Sequence, residues 1–153
     1  MRGELIVACG IPGIGKSTYI EQTIHPLSKV VHVSRDRIRF DLLKEGDDYF
    51  KYEEIVWRKF IAYINQALLD GYTVWADATH INARARNKLL REIKAPRIET
   101  IAVDFGNDIK LALERNKQRE GRAHVPPKVI VDMGRHYEQP QEEEGFDEVL
   151  KMY

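Results

Sequence analysis

Residues 4–9 of the chain are an unbroken apolar run after Glu4, and they stop at Gly10-Ile11-Pro12-Gly13-Ile14-Gly15-Lys16-Ser17. This junction restricts the fold more than any other feature. A short run that is apolar at successive rather than alternate positions is a strand buried on both faces, as in a parallel sheet covered by helices. Gly10 and Gly15, separated by four residues and followed by Lys and Ser, form a Walker A pattern. Its glycines let backbone N–H groups turn toward a phosphate, and a helix starting near Lys16 adds a favourable field. Lys16 can neutralise β and γ oxygens and Ser17 can ligate Mg²⁺. Gly10, Gly13, Gly15, Lys16, Ser17 and the adjoining Thr18 are therefore the expected contacts of a nucleoside triphosphate, ATP with Mg²⁺. A glycine turn that only packs helix on strand would leave Lys16 and Ser17 unexplained.

The rest of the chain alternates in the same way. A helix is expected over residues 16–24, a β-branched strand over 30–33, and a helix over 52–70 with apolar residues at Val56, Phe60, Tyr63, Ile64, Ala67 and Leu68, ending at Gly71. A third strand, 73–76, ends at Asp77, and Asn82 is placed to cap a helix through 93 that stops before Pro96. A strand over 98–105, helices over 108–119 and 128–137, and an edge strand over 148–152 complete the pattern. Strands alternating with helices imply an α/β fold with a mostly parallel sheet and ligands at the carboxyl ends of the strands. The length of 153 residues suits one domain, 1–153.

Composition removes several function classes. Lys+Arg 24 against Asp+Glu 24 gives no net charge, which argues against coating long nucleic acid through a global positive field, while local basic patches stay open. The single cysteine, Cys9, excludes an internal disulfide and suits a small buried hydrophobe. No run is long and apolar enough for a membrane span or a signal core, so a cytoplasmic location is expected.

Polar residues at the strand ends supply the remaining chemistry. Asp36, after Val33-Ser34-Arg35, is placed where a carboxylate accepts the proton of an attacking hydroxyl. Arg39 follows at i+3, on the same helix face, and suits an acceptor with an anionic group near its hydroxyl. Asp77 has two readings, a Walker B-like acid behind Mg²⁺ or a partner that orients Arg39. Thr79, His80 and Asn82 follow at the same sheet edge, and Arg84, Lys88 and Arg91 form a basic stripe that suits acceptor phosphates or solvent. Residues 108–127, basic and closed by Val125-Pro126-Pro127, read as a lid that delivers an arginine, Arg119 with Arg122 in reserve, and excludes water. The acidic Glu142-Glu143-Glu144 reads as a solvated linker.

The stretches Ser34-Arg35-Asp36-Arg37-Ile38-Arg39, Ala76-Asp77-Ala78-Thr79-His80-Ile81-Asn82, and Glu114-Arg115-Asn116 through Arg119 to Val125-Pro126, together with the Walker motif, resemble the kinase domain of bacteriophage-type polynucleotide 5′-hydroxyl kinases over nearly the whole chain. The resemblance implies a P-loop fold and ATP-dependent phosphorylation of a nucleic-acid 5′-hydroxyl, with Lys16 and Ser17 on nucleotide and metal and Asp36 as general base. It implies Arg39 on the acceptor's 3′-phosphate, Asp77 steadying Arg39, and Arg119 on the donor phosphates. Glu120 stands as an extra residue before Gly121, so Arg119 and Arg122 both remain in play. With no Asp-x-Asp nucleophile motif, the chain is expected to phosphorylate ends without removing 3′-phosphates. The alternatives are a P-loop kinase for a sugar, nucleoside or antibiotic, and a regulatory ATP-binding module.

Overall fold

A computed structural model describes residues 3–25, 27–121 and 124–153. Five strands, β1 (Glu4–Gly10), β2 (Val30–Ser34), β3 (Thr73–Asp77), β4 (Glu99–Gly106) and β5 (Glu148–Lys151), form one sheet in the order β2-β3-β1-β4-β5, with every pairing parallel. The apolar run at the start of the chain thus lies at the centre of the sheet. Its alternate side chains face opposite layers. Leu5, Val7 and Cys9 join a core with Val56, Phe60, Ile64 and Leu68 of α3 (Glu53–Leu69) and Leu89 of α4 (Ala83–Glu92). Ala8 packs the other way, with Ile20 of α1 (Lys16–Ile24), Trp75 and Val103. Burial pushes the Cys9 thiol up to about 12, which keeps it an uncharged packing residue.

α3 follows the expected stripe, but Tyr63 turns to solvent and Ile61 enters the core in its place. Gly71, at φ 86, takes the left-handed conformation that lets its N–H reach Leu68 O and end the helix. The Asn82 side chain accepts from Ala85 N at 2.8 Å to start α4, as its position predicts, and Asp108 does the same for α5 (Ile109–Lys117) through Leu111 N. The helices are shorter than expected at α4, which ends at Glu92, and at α5, which ends at Lys117; α6 (Pro127–His136) begins one residue early on Pro127, a residue suited to a first helical turn. α5 and α6 cover a third apolar cluster of Ile11, Ile14, Ala112 and Ile130 that carries the glycine-rich turn.

The polar cluster after β2 opens a helix, α2 (Arg35–Leu42), which puts Asp36 and Arg39 on the helix face their spacing implies and extends it to Leu42; Ser34 caps it, its Oγ accepting from Arg37 N at 3.2 Å. One segment differs in kind from the sequence expectation. The acidic run is a 3₁₀ turn, Glu142–Glu144, and not a solvated linker, because Glu144 receives two hydrogen bonds from the fully buried Arg86. Among the described residues no helix is long and apolar enough to cross a membrane.

Candidate active site

The carboxyl ends of β1, β2 and β3 lie side by side, and the motifs gather there. Gly13 (φ 86) and Gly15 (φ 102) adopt backbone that side chains rarely tolerate. A Cβ on Gly13 would stand 2.8 Å from Ala112 O, and one on Gly15 would run into the Arg115 guanidinium. Gly10 N donates to Thr79 O at 2.9 Å, which fastens the loop to the chain leaving β3. No side chain caps α1, so its first-turn N–H groups point at the loop. Lys16 is buried, with Nζ donating to Gly10 O at 2.7 Å and Ile11 O at 3.0 Å. Burial lowers its pKa to about 8, with Asp77 and Asp36 pulling in the opposite direction. Thr18 follows on the exposed side of α1.

Asp77, at the end of β3, lies against the start of α1. Its Oδ2 accepts from Ser17 Oγ at 2.6 Å and lies 2.7 Å from His32 Nε2. Burial would raise its pKa, but the His32 bond, the Lys16 charge and the Ser17 bond outweigh it and hold the carboxylate ionised. His32, a residue the sequence reading passed over, is wedged between Asp77 and Glu21, whose Oε1 is 2.5 Å from Nδ1. Burial disfavours its charge, yet hydrogen bonds to Asp77 and Glu21 raise its pKa above the usual value. A histidine breaking the Val-Val-His-Val strand was the available signal.

The resemblance sets Asp77 beside Arg39; among the described residues Asp77 meets Ser17 and His32, and Arg39 is gripped by Glu53. Arg39 is 5% exposed, and its Nε and Nη2 donate to the two Glu53 oxygens at 2.8 and 2.7 Å. This is a bidentate pair with little freedom. Its Nη1 donates to Asp36 Oδ1 and, at 2.8 Å, to Tyr49 Oη. Arg35 Nη2 reaches the same Glu53 at 3.3 Å. Asp36, by contrast, has a side chain 62% exposed. Asp36 and Arg39 therefore meet as the i, i+3 spacing predicts, with the carboxylate held at the mouth of the cradle.

Thr79 contributes its carbonyl to the loop, and His80 lies beneath it. His80 is buried, its Nδ1 is 2.7 Å from Ala8 O, and burial lowers its pKa to about 4, so the ring is neutral. At φ 44 its backbone is in the left-handed region, and Arg86 Nη1 holds its carbonyl at 2.7 Å. Arg84, Lys88 and Arg91 are exposed on α4. The Lys88 ammonium lies 4.6 Å from the centre of the Trp57 ring and the Arg35 guanidinium 5.3 Å from it, which joins the stripe to the Asp36 edge.

In the segment expected to form the lid, Arg115 Nη1 donates to Ile14 O at 2.5 Å and so touches the cradle. Arg119 begins beyond α5, with its N bonded to Asn116 O, and its charge is felt at Lys16. Arg122 lies outside the described residues. Asn116, which the sequence reading did not single out, closes the segment: its amide donates to Val125 O at 2.6 Å and accepts from Val125 N at 2.9 Å.

A family model described as an AAA domain matches residues 5–140, most of the chain. The chain belongs to that family. Among solved structures, this AAA-domain chain is similar to a chain of the Pnkp1/Rnl/Hen1 RNA repair complex, with a TM-score of 0.77 and 22% identity over 88% of this chain and 44% of that one. It is also similar to a fungal RNA kinase, at TM-score 0.62 and 14% identity over 100% of this chain and 76% of that one. A gluconokinase from Sinorhizobium meliloti 1021 matches at TM-score 0.59 and 18% identity over 97% and 81% of the two chains. The AAA-domain chain spans less than half the length of the RNA-repair chain it matches. The common ground is the fold: a parallel sheet flanked by helices with a P-loop, of the kinase-like kind, which implies nucleotide binding.

Proposed function

We propose that this chain transfers the γ-phosphoryl group of ATP to the 5′-hydroxyl of a nucleic acid. The observation that carries the reading is the Asp36–Arg39 pair, locked by Glu53, with its carboxylate exposed and its charge felt at the buried Lys16. The acceptor hydroxyl gives its proton to Asp36 as its oxygen bonds to Pγ, the bond from Pγ to the bridging oxygen breaks, and ADP leaves. Lys16 offsets charge on the β and γ oxygens, and Gly10, Gly13 and Gly15 keep the loop backbone turned to the phosphates. Arg119, Arg115 and Arg122 lie on the segment that would close over the donor and shield the site from water.

Mg²⁺ fits the residues present. Ser17 and the ionised Asp77 offer hard oxygens 2.6 Å apart at the start of α1, and a cation that keeps several waters and phosphate oxygens needs no larger protein cage. Among the described residues no cluster of three His, Cys, Asp or Glu side chains forms such a cage. When bound, the ion would supply positive charge that offsets the negative charge of the donor phosphates.

Arg39, with the exposed Arg84, Lys88 and Arg91 on α4, of which Lys88 shares the Trp57 ring with Arg35, supports an acceptor that carries phosphate beyond its reacting hydroxyl. The fold likeness to RNA kinases is compatible with this, and the likeness to a gluconokinase names the competitor. The test is γ-phosphate transfer from Mg-ATP to a short 5′-hydroxyl oligonucleotide and, in parallel, to a panel of sugars and nucleosides, with Lys16→Ala as control. Labelled oligonucleotide made by the wild type alone is the expected result. Labelled sugar with unlabelled oligonucleotide overturns the acceptor assignment.

A further inference from the structure

The segment between α2 and α3 carries an aromatic group that the reaction above leaves unused. Tyr49 and Phe50 stand 38% and 60% exposed, packed edge to face with ring centres 4.8 Å apart, and Phe40 of α2 lies 6.2 Å from Tyr49. Large exposed aromatics are a cost in a loop unless something holds or uses them. This loop is held. Asp48 Oδ1 accepts from Phe50 N at 2.8 Å, Asp47 Oδ2 accepts from Lys44 N at 2.8 Å, and the Arg39 guanidinium lies 4.5 Å from the centre of the Tyr49 ring.

The loop delivers the Tyr49 hydroxyl to one place. Tyr49 Oη donates to Asp36 Oδ1 at 2.9 Å and accepts from Arg39 Nη1 at 2.8 Å. The first is the contact an acceptor hydroxyl makes in the reaction proposed above, a proton directed at the base, and the second is with the cation proposed to hold the acceptor's phosphate. We propose that Tyr49 is a hydroxyl stand-in: it occupies the nucleophile's place on Asp36 Oδ1 and is displaced when an acceptor arrives. Burial and the neighbouring Asp36 charge push the phenol pKa up, so Tyr49 stays a donor and does not compete as a base. The exposed Phe50 face beside it then offers an incoming ring a stacking surface as the phenol swings away.

The inference rests on Asp36 being the general base, so the two readings are tested separately. Release of ADP from Mg-ATP is measured without any acceptor for wild type, Tyr49→Phe, Asp36→Asn and the double variant, and KM and kcat are measured with the acceptor that the wild type uses. Tyr49→Phe keeps the ring and loses only the hydroxyl, so the fold is preserved. It is expected to lower KM for the acceptor about fivefold, as removal of one competing hydrogen bond predicts, and to raise acceptor-free hydrolysis, because Oδ1, which the phenol held, is freed for a water. The added hydrolysis is expected to vanish in the double variant. If Asp36→Asn keeps full transfer, the general-base reading falls and the stand-in falls with it. If Asp36→Asn is inactive but Tyr49→Phe shows unchanged hydrolysis and a lower kcat, the base stands and Tyr49 merely positions it. Phosphate found on Tyr49 by mass spectrometry after incubation with ATP also overturns the stand-in, since the phenol would then be an acceptor itself.

Discussion

Two arginines, Arg86 and Arg39, are built alike and used differently. Each lies on a short charged helix, each is almost fully buried at 0% and 5% exposure, and each grips a glutamate through two nitrogens. Arg86 spends its remaining contact on the His80 carbonyl, deep under the cradle, so everything it touches is fixed protein. Arg39 spends its third nitrogen on Asp36 and Tyr49, groups at the exposed edge. A bidentate glutamate therefore does not mark a site by itself. What distinguishes Arg39 is that its last contacts are with groups at the exposed edge.

The comparison breaks most visibly at Arg86. Arg86→Met leaves Glu144 buried without its partner and is expected to destabilise the fold by about 3–5 kcal/mol, read as a lowered thermal midpoint, while kcat per folded molecule is kept. A loss of kcat without a loss of stability would place Arg86 with Arg39 instead. Next in size, Asp36→Asn is expected to lower kcat by about 10² or more with nucleotide affinity unchanged, as removal of a general base predicts. Arg39→Ala is expected to raise KM about tenfold for an acceptor bearing a 3′-phosphate, the size of one charge-assisted contact, and to change KM far less for one lacking it. Equal losses for both acceptors would make Arg39 a strut like Arg86.

The smallest expected effect is a pH profile. Because the folded His32 pKa lies above 6.5, its imidazolium contributes stability that is complete below that value and lost as pH rises through the folded pKa. Lys16, lowered to about 8, acts in the opposite direction at higher pH, so the informative window is between 6.5 and about 8. The wild type is expected to lose thermal stability across this window relative to His32→Gln, and parallel profiles would remove the charge from the Glu21–His32–Asp77 chain.

What the sequence disclosed follows the range of each interaction. The β1–cradle–α1 unit, the Asn82 cap and the α3 stripe are set by residues within a few positions of one another, and each was legible. The Asp36–Arg39 contact, three residues apart on one helix, was legible for the same reason. Glu53 is 14 residues from Arg39, and Glu144 is 58 from Arg86; such pairs leave no periodicity, and an acidic run looks like a solvated one until its partner is known. The extent of α2 was not legible, because Arg-Asp-Arg-Ile-Arg-Phe-Asp-Leu has too few apolar residues to show a stripe; the Ser34 cap and the burial of Ile38 help to hold it. His32 and Tyr49 act through groups far along the chain and carried no motif.

The amide clasp between Asn116 and Val125 has a consequence for how such a chain can be re-engineered. It ties Asn116 to Val125 with two hydrogen bonds, so a change of chain length between them leaves both anchors in place. Doubling a loop of this kind costs only about 0.6 kcal/mol in closure entropy. The tip can therefore be lengthened, shortened or exchanged as a cassette, changing how far its arginines reach, with the cradle beneath left in register.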